Sequence, residues 1–292
     1  MRIAIYGRSY NSSTLNYVKE FFDIMDDLKA NLVVFKEYQD YLIKKNVLKK
    51  KYDTFETHEE LDGQINYMLS VGGDGTLLDT VSLVRNSGIP VLGVNMGRLG
   101  FLAGINKQEM RGAFEALMAG HYTLDKRRLI RLESESPIFK GVNYALNECT
   151  IHKKQSSAMI RIHTYLNGEF LNSYWADGLI IATPTGSTGY SLSCGGPIIF
   201  PQSGNFVITP ISPHNLNVRP VIISDNSVIT FEVEGRSSLF NVTLDSRTES
   251  IKMGTQLAVR KAQFEMNLVR LSNENFLATL RNKLMWGLDT RN

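Results

Sequence analysis

Val71-Gly72-Gly73-Asp74-Gly75-Thr76-Leu77-Leu78 joins an apolar run to an amphipathic one. Ile65 to Val71 reads as a buried strand. Thr76 to Arg85 carries Leu77, Leu78, Val81 and Val84 at helical spacing, with Gly88 as its stop. Glycines at such a turn let a ligand approach the backbone closely, and the free N–H groups of a helix start favour phosphate. A carboxylate among phosphate-binding amides repels the ligand unless it has a separate task. Accepting a proton from an attacking hydroxyl is such a task. The plainer alternative is that Asp74 caps the helix over a tight turn, and these eight residues leave both open. Leu78 stands where a dinucleotide fingerprint needs its third glycine, and there is no Walker lysine.

Outward from this turn, strand and helix patterns alternate. Arg2 to Tyr6 reads as a strand, Leu15 to Leu28 as a helix, Leu32 to Phe35 as a strand and Tyr38 to Lys51 as a charged helix. Pro90 to Asn95 is a further strand and Glu109 to Ala119 a further helix. The alternation implies an α/β domain with a parallel, doubly wound sheet, whose ligands bind outside the carboxyl ends of the strands. A second glycine-bearing turn, Gly93 to Leu102, falls at the end of the next strand. After about His121 the texture turns to alternating and β-branched runs: 129–132, 145–152, 159–166, 179–182, 206–209, 218–223, 228–233 and 239–244. Asn167-Gly168 is a hairpin turn signal and Asp225-Asn226 a second turn. Phe276 to Trp286 is helical again. The expected organisation is an α/β domain over 1–120, a mostly β domain over 121–274, and a helix in 275–292 that packs back on the first domain.

Composition narrows the class. The chain has 292 residues, 43% hydrophobic and 21% charged, ordinary for a globular protein. No apolar run approaches the roughly 20 residues of a membrane helix, and the strand-like N-terminus lacks a secretory core. Two distant cysteines, Cys149 and Cys194, point to free thiols and a cytoplasmic location. The sequons at Asn11 and Asn241 then carry little meaning. Five histidines show no metal-binding spacing. A net charge of +3 does not call for nucleic acid, and the lysine-rich run 44–51 reads as a solvated helix face.

Two more motifs carry chemistry. Asp177 to Pro197 runs from a buried strand into a loop dense in glycine and hydroxyls, with one aromatic ring at Tyr190. Such a loop suits a nucleotide base and phosphates. Its Gly186-Ser187-Thr188-Gly189 spacing is not that of a nucleophile elbow. Asn147-Glu148 places two polar residues inside an apolar run, so at least one points inward and requires a partner. A satisfied structural pair and a ligand site fit that pattern equally.

Together with Asn95-Met96-Gly97-Arg98-Leu99-Gly100-Phe101-Leu102 and Pro210 to Pro220, these segments resemble the NAD kinase family, in the family's order, from about residue 70 to 220. The glycine turn alone is shared with diacylglycerol and sphingosine kinases; the hydroxyl-rich loop singles out NAD kinases. The resemblance implies transfer of the ATP γ-phosphoryl group to the 2′-hydroxyl of the adenosine ribose of NAD, giving NADP, with Mg²⁺ or another divalent cation accompanying ATP. By position, Asp74 is the catalytic carboxylate, and Gly72, Gly73, Gly75 and Thr76 face the donor phosphates. Asn147 and Glu148 hold the adenosine. Asp177, Thr185, Thr188, Gly189, Tyr190 and Ser193 complete the dinucleotide pocket, Leu78 and Phe101 supply apolar wall, and Asp245 reaches the site from a late strand. Gly189 stands where many members have alanine. Trp175 stands where members often carry arginine or glycine, a position associated with choosing NAD over NADH; its bulk resembles arginine, which favours NAD. The implied partners are NAD and ATP, with neither nucleic acid nor membrane, in a homo-oligomer, dimer or tetramer. The alternatives are a lipid kinase of the diacylglycerol type and a non-catalytic NAD-binding regulator.

Overall fold

Strands Asp53–Phe55, Asn31–Phe35, Arg2–Gly7, Tyr67–Gly72 and Val91–Asn95 lie side by side in that order, all parallel. This is the sheet of a computed structural model that describes residues 1–9, 12–61, 63–97, 100–102, 104–154, 158–271 and 276–285. Val91–Asn95 also pairs in parallel with Ile105–Asn106 and, at Leu268, with the end of strand Leu257–Leu271. The strand order reverses between Arg2–Gly7 and Tyr67–Gly72. In an open parallel sheet that reversal leaves a crevice at the carboxyl ends of the two strands, and Gly72 to Asp74 leave the sheet there.

The sequence builds this sheet by burying both faces. Tyr67–Gly72 and Val91–Asn95 are buried at every residue, as strands covered by helices on both sides must be. Ile5, Leu69, Val71, Leu92 and Val94 share a core with Phe21 and Met25 of helix Ser12–Asp27 and Phe114 and Leu117 of helix Met110–Met118. The rings of Phe21 and Phe114 meet edge-on at 5.4 Å; truncating either to alanine costs about 3–5 kcal/mol. Helix Asp74–Val84 buries Leu77, Thr80 and Val81 and packs on the strand that precedes it and on both that strand's neighbours. The helix expected over 38–51 is shorter, Lys36–Lys44. Asn46 takes a left-handed φ of 56°, with Asn46 N–H donating to Ile43 O and Val47 N–H to Leu42 O, both at 2.9 Å. That is a Schellman stop, and it turns Val47 and Leu48 into the core.

The chain divides into two units, Met1–Lys126 with Met266–Asn292, and Arg127–Glu265. Helix Phe276–Leu284 belongs to the first; the expected helical residue Trp286, and Asn11, Arg98 and Leu99, lie outside the described residues. The second unit is two antiparallel sheets face to face. One contains Glu169–Ala176, Ile160–Leu166, Ile229–Glu234 and the start of Leu257–Leu271. The other orders Val221–Ser224, Asn205–Ile211, Gly178–Ala182, Glu148–Lys153, Leu239–Leu244 and Arg247–Lys252. Ile162, Tyr174, Phe231 and Val259 of the first pack with Ile151, Ile181, Phe206 and Val242 of the second. Asn167 and Gly168 both have positive φ, 53° and 86°, as the two-residue hairpin turn requires.

Two expectations need correction here. The run 145–152 is not one strand but Tyr144–Ala145 and Glu148–Lys153, broken at Leu146-Asn147. Strands Glu169–Ala176, Arg247–Lys252 and Leu257–Leu271 were not legible in the sequence. Arg247–Lys252 buries no residue fully, so it lacks the alternation that marks a strand. No helix among the described residues is long and apolar enough to cross a membrane.

Gly112 lies exposed inside helix Met110–Met118, and nothing comes within 4 Å of an added Cβ. Gly112→Ala is expected to stabilise the protein by about 0.5–1 kcal/mol, raising the melting temperature by roughly 1–4 °C in calorimetry. A lower melting temperature would contradict the open helical site.

Candidate active site

In the first unit the site begins with Gly73, which precedes helix Asp74–Val84 in an extended conformation and accepts Thr76 N–H (3.1 Å) and Leu77 N–H (3.2 Å) at its carbonyl. No side chain caps this helix, so Asp74 is not the cap that the plainer reading required. It is the first helical residue. Its carboxylate crosses to the turn after the neighbouring strand, where Oδ2 accepts Phe101 N–H (2.7 Å) and Oδ1 accepts Leu102 N–H (3.1 Å). Gly73 and Gly75 are exposed, with nothing within 4 Å of an added Cβ, so the outer face of the turn is open. At Gly72 a Cβ would lie 2.3 Å from Thr76 Oγ1, and only glycine lets the helix start so close to the strand. Leu78, in helix Asp74–Val84, and Phe101, on the neighbouring turn, are half-buried. Arg8, just past the end of strand Arg2–Gly7, pairs with Asp79 of helix Asp74–Val84, and Tyr6 donates its hydroxyl to that carboxylate (3.0 Å). Burial and the Asp79 charge push the Tyr6 phenol up to about 12.

In the second unit the organising group is Asp245. It sits at a two-residue hairpin turn between paired Leu244 and Arg247, with φ of 53°. Its Oδ2 accepts Leu146 N–H (2.8 Å), and its Oδ1 accepts Asn147 N–H (2.8 Å) and Glu148 N–H (3.1 Å). These bonds break the strand at Leu146-Asn147 by drawing three successive amides to one carboxylate. Asn147 Oδ1 and Glu148 Oε2 remain buried without a hydrogen-bond partner among the described residues. A buried acceptor left unpaired costs about 1–3 kcal/mol, so these two atoms mark a place built for a ligand.

The hydroxyl-rich loop folds against this pair. Thr183 donates its N–H to Asn147 O (2.8 Å) and its hydroxyl to Leu146 O (2.6 Å). A Cβ on Gly186 would lie 2.2 Å from Asn147 O, so the backbones touch. Gly189 faces Glu148 Oε2 and Asn147 Nδ2, 3.5 and 3.6 Å from its would-be Cβ. Several of the hydroxyls hold the loop. Ser187 bonds Pro184 O and Ile199 N–H, Ser191 pairs with Thr209, and buried Thr185 accepts from Arg127 Nη1 (3.1 Å). Thr188 donates to Thr185 O (3.3 Å). Tyr190 and Ser193 are exposed on the following short helix. The Tyr190 phenol is raised by burial and then by Cys194, Asp177 and Glu148, which places these groups in one electrostatic neighbourhood. Asp177 is ion-paired to Lys153 (2.6 Å). Trp175 is exposed and lies over His214, ring centroids 4.3 Å apart.

Glu148 and Asp245 respond differently to their burial. Burial and the Asp245 charge raise the Glu148 carboxyl to about 8. Burial raises Asp245 only to about 6, because three backbone N–H groups and Arg247 oppose it. At neutral pH the pair therefore holds one proton, on Glu148.

Residues 3–122 match the ATP-NAD kinase N-terminal domain family and residues 146–271 the ATP-NAD kinase C-terminal domain family. The chain belongs to the NAD kinase family. An NAD kinase of Cytophaga hutchinsonii is 47% identical over 292 residues, and one of Flavobacterium psychrophilum 47% identical over 294; each match covers all of both chains. Among solved structures, yeast NADH kinase complexed with NADH aligns with a TM-score of 0.89 at 22% identity, over 100% of this chain and 89% of that one. An NAD kinase from Archaeoglobus fulgidus in complex with ATP aligns with a TM-score of 0.74 at 23% identity, over 98% and 99%. Both share the NAD kinase fold with this chain.

Within this NAD kinase fold, Asp74 and its glycines assemble in one unit, and Asn147, Glu148, Gly189, Asp177 and Tyr190 in the other. Asp245 contacts the site through backbone. Three residues escaped the sequence reading: Arg127 behind Thr185, Lys153 on Asp177, and Arg8 on Asp79. Each is a cation whose partner is distant in sequence, so no local pattern announces it.

A carboxyl raised by folding keeps its proton where the unfolded chain has lost it. That contribution is complete below the ordinary Glu value of 4.5 and is lost as pH rises through about 8. Ligand-free protein should therefore lose melting temperature between pH 5 and 8, and Glu148→Gln should flatten the fall by at least about 2 °C, the shift that roughly 1 kcal/mol produces. An unchanged slope would contradict a protonated Glu148.

Proposed function

We propose that the protein transfers the γ-phosphoryl group of ATP to the 2′-hydroxyl of the adenosine ribose of NAD, forming NADP. The observation that carries the acceptor assignment is the pair of unpartnered buried acceptors, Asn147 Oδ1 and Glu148 Oε2. Adenosine supplies the matching donors, an exocyclic amine and ribose hydroxyls. Glu148, protonated at neutral pH, can also donate to a ribose oxygen. Asp177, Thr188, Gly189, Tyr190 and Ser193 line the remainder of the dinucleotide pocket, and Thr185 holds the loop from behind. Diacylglycerol, with one hydroxyl and two acyl chains, matches neither acceptor.

The donor phosphates lie against the open Gly73 and Gly75 of the turn whose shape Gly72 and Thr76 set, with Leu78 and Phe101 as apolar wall. The ribose 2′-oxygen attacks the γ-phosphorus, the bond from that phosphorus to the ADP oxygen breaks, and the hydroxyl proton passes to Asp74. Phe101 N–H and Leu102 N–H hold the two carboxylate oxygens in place. The transition state is loose, so alignment and charge neutralisation carry most of the catalysis. A divalent cation fits this chain as an ion carried by the donor. Among the described residues no three His, Cys, Asp or Glu side chains converge, and Mg²⁺ is commonly held by substrate phosphates, waters and one or two carboxylates. When bound, it offsets triphosphate charge.

Purified protein given ATP, Mg²⁺ and NAD should yield NADP, read with an NADP-specific dehydrogenase, and no phosphorylated lipid when diacylglycerol replaces NAD. Asn147→Ala should raise KM for NAD by about tenfold, the equivalent of one lost hydrogen bond. A parallel run with NADH should be slower, since the bulk of Trp175 favours NAD. Absence of NADP from the native protein would sink the proposal.

A further inference from the structure

Space demands glycine at position 100. A Cβ built there would lie 1.8 Å from Asp74 Oδ1, 2.4 Å from its Cγ and 2.6 Å from Oδ2. No methyl group fits at those distances, so the Asp74 carboxylate occupies the volume that any other residue at position 100 would fill. The next two residues then present Phe101 N–H and Leu102 N–H to the two carboxylate oxygens at 2.7 and 3.1 Å. Backbone donors cannot swing away as a side-chain donor can, and one N–H on each oxygen sets both the direction and the rotation of the carboxylate.

We infer that Gly100 is a positioning residue for the phosphoryl transfer, whose missing side chain admits the Asp74 carboxylate to a clamp made by the amides of Phe101 and Leu102. This rests on the reading of Asp74 as the proton acceptor. The clamp does for Asp74 what a third residue does for the base of a catalytic triad: it fixes the base without touching the substrate. Helix Asp74–Val84 fixes only the backbone of Asp74. Expelled from the clamp, the carboxylate leaves the position that the two amides set, and a displacement of about 1 Å at a reacting group can cost roughly 10²-fold in rate. A methyl group at position 100 expels the carboxylate from the clamp but leaves Gly72, Gly73, Gly75 and the dinucleotide pocket unaltered.

The test is Gly100→Ala in the full chain, alone and combined with Asp74→Ala. The single variant should lose about 10²-fold in kcat, with KM for NAD and for ATP within about twofold of native, because the lost interaction orients the base and does not bind substrate. It should also melt several degrees lower than native. With Asp74→Ala, the same Gly100→Ala change should cost no melting temperature, because the methyl enters the vacated volume. A merely structural glycine would lower the melting temperature equally in both backgrounds, and that result overturns the inference, as does native kcat in Gly100→Ala. If Gly100→Ala alone fails to fold, cooperative unfolding regained in the double variant supports the inference, and failure of both overturns it. Native-level activity in Asp74→Ala would instead refute the reading of Asp74, a result separate from the melting-temperature comparison.

Discussion

Asp74 reaches from the end of one central strand to the amides that follow the next, and this contact governs how the first unit presents its glycine turn. Strands Tyr67–Gly72 and Val91–Asn95 are hydrogen-bonded along their length, but beyond the sheet the two turns have no ladder to hold them. The carboxylate supplies that tie through Phe101 and Leu102. Reversal of strand order beside Tyr67–Gly72 opens the crevice. The glycines at 72, 73 and 75 keep its floor bare, and the exposed outer face leaves room for phosphate.

The second unit solves a related problem with another carboxylate. Asp245 gathers the amides of Leu146, Asn147 and Glu148 and so interrupts a strand that its apolar neighbours would otherwise continue. The interruption turns two polar side chains toward the hydroxyl-rich loop and leaves their acceptors unpaired. In both units an acidic side chain satisfies backbone N–H groups, and in both the geometry is fixed by donors that cannot rotate. Their settings differ. Asp74 sits half-buried beside the open Gly73 and Gly75. Asp245 sits half-buried behind the peptide that it shapes.

The glycine turn and the parallel sheet were legible because their signals are local: a buried strand, close-set glycines, then helical spacing. The hydroxyl-rich loop stood out in the sequence, but the division of labour within it did not. Ser187, Ser191 and Thr185 bond inward, and composition cannot separate a hydroxyl that holds a loop from one that meets a ligand. The clamp on Asp74 was invisible for a more basic reason. Backbone amides have no letter in the sequence, and Gly100 resembles any other turn glycine until the carboxylate is seen in its space. Asp245 lies 97 to 99 residues from the amides it accepts, so no window of sequence contains both. The over-long helix at 38–51 failed at Asn46, where a left-handed residue and a buried Val47 outweighed the helix-favouring lysines.

The central claim is that Asp74 acts in the chemical step and not in binding. The most direct measurement is the single-turnover rate of phosphoryl transfer in rapid quench with NAD and MgATP prebound, comparing native protein with Asp74→Asn, alongside calorimetric affinities for each nucleotide. The account predicts a rate lower by about 10²–10⁴-fold with both affinities within about twofold of native. A native transfer rate in Asp74→Asn, or a loss explained wholly by weakened binding of NAD or ATP, would contradict it.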